Sequence, residues 1–190
     1  PEIEDVVRIT QRNGNVVKDG QTFEQLIDYV DTNFFEIFQL PIIEGTYNGI
    51  LESPSSIVIN ETNAQKYLGD GPWLGVINHQ YERTHIVSAV MKDLPDNSHM
   101  NVGFLVPHDR KVYEENSSGG INDLERWNGL PFYVYLKLRD GASITPIEST
   151  INAWVDRYFP PDISALVNIP GSELWTPRFV RVDKIHLYSP

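Results

Sequence analysis

Residues 31–45 form the segment that most restricts how this chain can fold. Phe34, Ile37 and Phe38 recur at the spacing of one helix face, which predicts a short helix that is buried on that side. One of the three polar residues at 31–33 would accept the first free amides as N-cap, and Pro41 would end the helix. This spacing is more typical of a hydrophobic core than of a ligand pocket, so we expect the aromatic cluster to pack against other elements.

Strand signals surround this helix, in the form of β-branched and aromatic runs that end at turn residues. The first run, Ile3–Val17, contains Asn13-Gly14-Asn15, a turn signal that would divide it into two strands. The other strands are predicted at Phe23–Val30, Ser56–Ile59, Val76–Tyr81, Thr84–Met91, Phe104–Pro107, Phe132–Leu138 and Phe179–Leu187.

A second helix has clear signals at both ends. Asn60 is a favourable N-cap, Glu61 suits the first turn, and Gly69 suits the residue after the last turn. The inner face of this helix would hold Ala64, Tyr67 and Leu68. A further helix is predicted near His108–Glu115, and residues 162–176 are expected to be irregular.

The longest predicted helix begins at Thr145. The run Thr145-Pro146-Ile147-Glu148 fits a capping box with proline at the first helical position, and Pro160-Pro161 would end the helix. We expect one continuous buried face formed by Ile147, Ile151, Trp154, Val155, Tyr158 and Phe159. Helices and strands mix along the chain without strict alternation, which favours an α+β fold over a doubly wound parallel sheet.

The charge of the chain restricts its partners. With 26 acidic and 15 basic residues, the formal net charge is -11 over 190 residues. Such a field repels a phosphate backbone and an anionic lipid surface, so nucleic acid is excluded as a predicted partner.

The sequence contains no apolar run of about 18 residues, the length that a membrane helix needs. It also opens on Pro1 rather than on Met. We therefore expect an excised or processed part of a longer protein, whose membrane anchors lie outside the fragment.

Motifs of catalysis and nucleotide binding are missing. The sequence has no Walker A loop, no G-x-G-x-x-G, no G-x-S-x-G, no H-E-x-x-H and no cysteine. Asp93, Asp96, His99, His108 and Asp109 could in principle converge on a metal, but ordinary loop polarity explains them better. We predict no catalytic, cofactor-binding or metal-binding residues, no cofactor and no enzymatic activity.

Six short motifs, in the same order and spacing, resemble the MacB-like periplasmic core domain of ABC transporter permeases, the MacB/FtsX-type family. Residues 31–45 are similar to the family pattern D-x-x-F-F-x-x-F-x-x-P-x-x-x-G, and residues 56–64 to S-I-V-I-N-E-x-x-A. Residues 85–98 are similar to a pattern that ends in D-x-P-x-N-S, with Ala89 where the family usually has glycine. The remaining similarities lie at residues 3–8, 136–143 and 184–189.

The resemblance implies two subdomains. A porter-like subdomain of strand-helix-strand units would comprise residues 1–55 and 104–190, and a mostly-β, sabre-like insertion would comprise residues 56–103. Pro1 and Pro190 would leave the porter-like part through one face, roughly 20–25 Å apart, toward two membrane helices.

The resemblance also implies a function. The chain would be the periplasmic domain of an inner-membrane permease and would transmit ATP-driven conformational change to a substrate or partner outside the membrane, in efflux, lipoprotein extraction or signalling. ATP would be hydrolysed by a separate cytoplasmic ABC ATPase, and the permease would pair with a second copy. Two alternatives remain open: a secreted carbohydrate-binding or hydrolytic domain, and a free-standing periplasmic adaptor or chaperone.

Overall fold

The computed structural model describes residues 2–78, 84–109, 132–159, 164 and 166–185. Within these ranges eight strands form one mixed sheet, accompanied by helices, which confirms the predicted α+β class. The strands are β1 Ile3–Lys18, β2 Gln21–Val30, β3 Ile42–Gly45, β4 Ser56–Asn60, β5 Val76–Asn78, β6 Thr84–Met91, β7 Phe104–Pro107 and β8 Tyr133–Leu138. The helices with described bounds are α1 Phe34–Ile37, α2 Glu61–Leu68, α3 Thr145–Tyr158 and α4 Gly171–Leu174, and a 3-10 turn spans Val182–Lys184.

The long strand β1 organises the sheet. The strand order is β2-β7-β4-β6-β5-β1-β8. Because β1 also pairs with β2, the first six strands of this order form a closed ring. The first half of β1 pairs with β8, the second half with β2, and Val17 pairs with Asn78 of β5. The pairs β2–β7 and β4–β6 are parallel, whereas the other strand pairs are antiparallel.

The turn predicted at Asn13-Gly14-Asn15 is wrong. These residues continue β1 and pair with Leu26, Gln25 and Glu24 of β2. The chain turns instead at Asp19-Gly20, where φ is 51° and 75° and where Lys18 pairs with Gln21. A two-residue Asp-Gly loop with positive φ at both residues matches the twist of a hairpin, which is why it outcompetes the earlier signal.

Both faces of the sheet are buried, and β4 shows this directly: Val58 points to one core, whereas Ile57 and Ile59 point to the other. This agrees with the position of β4 between two neighbouring strands. The first core contains Val7, Ile9, Val30, Phe34, Phe35, Ile50, Leu51, Val58, Ala89, Met91, Val102 and Leu105. The second core contains Val16, Ile27, Ile57, Ile59, Ala64, Tyr67, Ile77, Val87, Val90, Phe104 and Val106.

A bulge at Ser88 changes which side of the sheet the side chains of β6 point to. Ile57 pairs with Val87 but Val58 pairs with Ala89, so Ser88 has no partner in the ladder. Its hydroxyl donates to the carbonyl oxygens of Ile50 and Ile57, at 2.7 and 3.3 Å. Because of the extra residue, Val87 joins the second core together with Val90, while Ala89 joins the first.

The helix predicted in residues 31–45 is present but short, and its predicted cap is wrong. α1 buries Phe34 and Phe35 in the first core, and Phe38 packs against the same core. No side chain caps the helix. The side-chain amide nitrogen of Asn33, Nδ2, instead donates to Asp5 Oδ1 at 2.7 Å and to the carbonyl oxygen of Val6 at 2.9 Å. These two hydrogen bonds connect α1 to β1.

The bounds and inner face predicted for α2 are confirmed. Asn60 Oδ1 accepts a hydrogen bond from the Asn63 amide at 3.1 Å, and Gly69 follows the helix with φ 81°. Ala64 and Tyr67 are buried in the second core.

The continuous buried face predicted for α3 is wrong. Only Val155 is buried in this helix, whereas Trp154 and Tyr158 are 48% and 47% exposed. α3 packs against α4, which also corrects the irregular structure expected at residues 162–176. The capping box is absent too: the N-cap residue is Ile144, and no side chain caps the helix.

The strand predicted at Phe179–Leu187 is also wrong over its described residues. Arg181 and Asp183 form a local ion pair, with Nε and Oδ1 2.9 Å apart, and the chain coils into the 3-10 turn. Residues 186–187 lie outside the described ranges, as do Pro1, Pro190, residues 79–81 and most of the helix predicted at His108–Glu115.

The division into two subdomains at residues 55/56 and 103/104 stays a prediction. Strands β4 to β6 of the middle segment share one sheet with β1 and β7.

Candidate functional site

Strands β1, β2 and β8 place polar residues side by side at the edge of the first core. Gln11 pairs with Asp28, and Ile9 pairs with Val30 on one side and with Tyr133 on the other. Directly opposed residues share a face of the sheet, so these side chains line one cavity. Its volume is about 520 Å³. The described lining residues are Ile9, Gln11, Asp28, Phe34, Ser98, His99, Met100, Asn101, Val102, Leu105, Tyr133, Tyr135 and Ile185.

Asp28 is the polar centre of this cavity and is only 5% exposed. Gln11 Nε2 donates to its Oδ1 at 3.1 Å. The other oxygen, Oδ2, is buried and has no hydrogen-bond donor among the described residues. Burial raises the pKa of Asp28 to about 6, and the hydrogen bond from Gln11 opposes that rise only in part.

Aromatic rings flank this carboxyl group. The ring of Tyr135 lies 5.8 Å from that of His99 and 4.9 Å from that of Phe38, between centroids. Burial raises the pKa of the Tyr135 hydroxyl, and Tyr133 and the negative charge of Asp28 raise it further. The cavity therefore combines one carboxylate with aromatic and apolar walls, an arrangement that can accept a proton donor or a cation.

A second polar cluster lies where β1 and β2 separate. The guanidinium of Arg8 contacts both oxygens of Asp31, Nη2 to Oδ1 at 2.7 Å and Nε to Oδ2 at 3.0 Å. His108 lies near this pair and stacks on Tyr29, with ring centroids 6.5 Å apart. The pKa of His108 is lowered to about 4, mainly by burial and also by the positive charges of Arg8 and Arg12, against the opposing effect of Asp31.

The residues considered for a metal site serve separate purposes. Asp93 accepts hydrogen bonds from the amide and hydroxyl of Thr62, at 3.2 and 2.8 Å, in the first turn of α2. His99 lines the cavity, and His108 belongs to the cluster at Asp31. Among the described residues, no group of three or more histidine and acidic side chains is arranged to hold a metal ion.

A carbohydrate-binding domain would need aromatic rings grouped along one groove, but the described tryptophans lie in separate parts of the fold. Trp73 packs against the second core and donates from Nε1 to the carbonyl oxygen of Gly69 at 2.8 Å. Trp154 lies on α3, with its ring 5.2 Å from that of Tyr158. Trp127 lies outside the described residues.

Two motif residues have structural roles that the sequence alone did not reveal. Asp31 binds Arg8, and Asp93 accepts a hydrogen bond from the Thr62 amide in the first turn of α2, beside the predicted N-cap Asn60. Gly45 pairs with Ala89 so closely that a Cβ on Gly45 would lie 2.7 Å from the Ser88 carbonyl oxygen. This contact explains how alanine is tolerated at position 89, because the residue opposite has no side chain.

Sequence reasoning missed Asp28 as a candidate site residue. A signal was present, since aspartate is disfavoured inside strands and here lies between Ile27 and Tyr29. Its partner Gln11 is 17 residues away. Their pairing depends on the position of the Asp19-Gly20 turn, which sequence reasoning did not assign.

Comparison with known protein families shows to which family the chain belongs. Residues 1–154 match the family described as the MacB-like periplasmic core domain. The chain belongs to this family. The resemblance to this family is thereby confirmed; five of the six motifs lie within the matched residues, and the one at residues 184–189 lies outside them. The family is the extracytoplasmic part of ABC transporter permeases. No curated protein matches the chain.

Solved structures share the fold at low sequence identity. A domain assigned to a permease of Porphyromonas gingivalis has TM-score 0.67 and 21% identity, over 87% of this chain and 69% of that one. The periplasmic region of MacB from Actinobacillus actinomycetemcomitans has TM-score 0.62 and 16% identity, over 98% and 75%. The extracellular domain of the ABC-type transporter YknZ from Gram-positive bacteria has TM-score 0.56 and 15% identity, over 90% and 79%.

Within the described part of this MacB-like domain, no helix has the length and apolar character needed to cross a bilayer.

Proposed function

We propose that this MacB-like domain transmits ATP-driven movement of permease membrane helices to a substrate or partner protein outside the inner membrane. Family membership supports this role, because the family is the extracytoplasmic part of such permeases. It also favours the permease over a secreted carbohydrate-binding or hydrolytic domain and over a free-standing adaptor.

The observation that carries the proposal is the course of β1. Near its start, the Arg139 amide donates to the carbonyl oxygen of Glu2 at 2.9 Å, and Lys137 Nζ lies 2.6 Å from Glu4 Oε1. The beginning of the chain and the end of β8 are thus held together. From there β1 continues for 16 residues, roughly 50 Å if straight, to the Asp19-Gly20 turn.

β1 is paired with β8 over its first half and with β2 over its second half, so hydrogen bonds hold it from Ile3 to Lys18. A displacement applied at residues 2–5 would therefore reach the hairpin formed by β1 and β2 rather than dissipate at the point where it enters. Efflux, lipoprotein extraction and signalling would all use this same transmission step, so the proposal covers the step that they share.

The energy would come from elsewhere in the assembly. In our proposal a separate cytoplasmic ABC ATPase hydrolyses ATP, and two permease copies associate in the membrane. Transmission of this kind needs a body with alternative positions rather than a catalytic constellation.

The proposed location is tested by labelling a single cysteine. The chain contains no cysteine, so Thr22→Cys, at an exposed position of β2, gives one reactive site in this domain. In spheroplasts that carry the full-length permease, a membrane-impermeant maleimide should label this cysteine without lysis. A cysteine introduced into the ATPase serves as control and should react only after lysis. Labelling of Thr22→Cys only after lysis would refute the location.

A further inference from the structure

The Asp28 cavity has features of a ligand site that transmission of movement does not require. Its volume of about 520 Å³ lies within the range of small-molecule pockets, roughly 300–1,000 Å³. Asp28 reaches it from near the end of β2 and is 5% exposed. Its Oδ2 has no donor among the described residues.

A comparison with Asp31 shows what is unusual about Asp28. Both oxygens of Asp31 accept hydrogen bonds from Arg8, whose charge compensates the carboxylate. Asp28 receives one neutral hydrogen bond, from Gln11, and no ion pair is described for it. A buried polar atom that lacks a partner costs about 1–3 kcal/mol, more when it is charged. No contact among the described residues offsets this cost at Asp28 Oδ2.

The surroundings indicate which chemistry would complete the site. Among the described lining residues, Asp28 is the one with a carboxylate, and Lys and Arg are not among them. The rings of Tyr133 and Tyr135 can face a cation, and Met100, Val102 and Leu105 offer apolar contact to a hydrocarbon stem. The net charge of -11 attracts cations to the domain and repels anions.

We propose that this cavity binds a primary ammonium group carried on an apolar stem, with Asp28 Oδ2 as its anionic acceptor. The ammonium can belong to a free organic amine or to a lysine side chain of a bound peptide. The ammonium group supplies the missing donor and the missing positive charge at once. This inference does not rest on the proposed transmission of movement.

The raised pKa of Asp28 gives the site a pH dependence. With a pKa of about 6, the empty site is mostly ionised at pH 7.5 and mostly protonated at pH 5. An ammonium ligand requires the ionised form, so its affinity should fall roughly tenfold between these two pH values.

The test is an NMR titration of the 190-residue chain with benzylamine and, in parallel, with the neutral analogue benzyl alcohol. Benzylamine should shift the amide signals of Gln11, Asp28 and residues 99–102, with a Kd on the order of 1 mM. Benzyl alcohol should bind at least tenfold more weakly. Equal affinity for the amine and the alcohol, or no shifts up to about 20 mM amine, would overturn the proposal.

Two variants with the same change in charge sharpen this test. Asp28→Asn should lose at least tenfold in benzylamine affinity, while Glu24→Gln, at an exposed position of the same strand, should bind as the parent does. If Asp28→Asn keeps the dispersed spectrum of the parent and binds the amine equally well, the carboxylate is not the acceptor and the proposal fails. A dispersed spectrum of Asp28→Asn shows that the variant is folded, so unfolding does not confound the result.

A third ligand separates the two sources of the ammonium group. Nα-acetyl-lysine methylamide should bind as tightly as benzylamine, or more tightly, if the natural ligand is a peptide lysine. Binding of benzylamine alone would assign the site to free amines.

Discussion

Asp31 binds Arg8 through its side chain and its backbone at the point where β1 and β2 separate. The backbone amide of Arg8 donates to Asp31 Oδ2 at 2.8 Å, and the Asp31 amide donates to the carbonyl oxygen of Arg8 at 3.2 Å. With the two guanidinium contacts, this geometry fixes the chain direction as it leaves the sheet for α1. It gives Asp31, the first residue of the family pattern, a structural role.

Asp31→Asn should therefore destabilise the domain. Loss of the two-point ion pair should lower the free energy of unfolding by about 1–3 kcal/mol at pH 7, measured by urea denaturation. Burial raises the pKa of Asp31, but the hydrogen bonds and charge of Arg8 outweigh it, so the net shift is downward. The stabilisation is therefore present above pH 4 and lost as the pH falls below that value, where parent and variant should converge.

Asp183→Asn is the matched control for this change. Both side chains of the Arg181–Asp183 ion pair are exposed to solvent. Loss of this ion pair should therefore leave the urea midpoint unchanged. Equal effects of the two substitutions would contradict the role assigned to Asp31.

Gly45→Ala should cost more than an ordinary glycine substitution. A Cβ at this position would lie 2.7 Å from the Ser88 carbonyl oxygen and 2.9 Å from the Ala89 Cα, and φ is 96°. We expect a loss of about 2–4 kcal/mol in the free energy of unfolding. Gly20→Ala is the control, because φ is also positive (75°) but nothing lies within 4 Å of the added Cβ. If the control loses as much stability, close approach to β6 is not the cause.

Asn60→Ala should remove the N-cap of α2. Asn63 would lose its acceptor, at a cost of about 1 kcal/mol in the free energy of unfolding. Gln65→Ala, at an exposed position of the same helix, should be neutral or slightly stabilising, because alanine has the higher helix propensity. Chemical denaturation of both variants checks this, and equal losses would contradict the capping role.

Asp28→Asn should stabilise the domain at neutral pH. The pKa of Asp28 is raised from 3.8 to about 6 in the folded state, so the folded state holds a proton that the unfolded state releases between these values. Stability in the parent should therefore fall as the pH rises from 4 to 6 and then level off. The variant lacks this loss and should be more stable above pH 6, by up to about 3 kcal/mol.

Urea denaturation at pH 4, 5, 6 and 7.5 measures this difference between parent and variant. A difference that does not change with pH would mean that the Asp28 pKa is not shifted.

Local signals predicted most of the fold, and tertiary pairing decided the rest. The bounds of β6 and α2 follow from strand alternation and end signals, which need no knowledge of partners. The periodicity of α3 identifies its apolar side but not whether another element covers it, so Trp154 and Tyr158 were wrongly predicted to be buried. The Asp28–Gln11 pair depends on strand register, which the turn at Asp19-Gly20 sets. The resemblance singled out Asp31 and Asp93 without revealing what each one binds, whereas the N-cap role of Asn60 could be read from the sequence.

The central claim, that ATP-driven movement passes through this domain, is tested most directly by distances between spin labels in the full-length permease assembled with its ATPase. Thr22→Cys places a label near the hairpin turn at one end of β1, and Asp140→Cys places one near the other end, both at exposed positions. The distance between the Thr22 labels of two copies should change by about 5 Å or more between the nucleotide-free and ATP-bound states. The distance between Thr22 and Asp140 within one copy shows whether the domain moves as a rigid body. Superimposable distributions between copies in every nucleotide state, in a preparation that turns over ATP, would contradict the account.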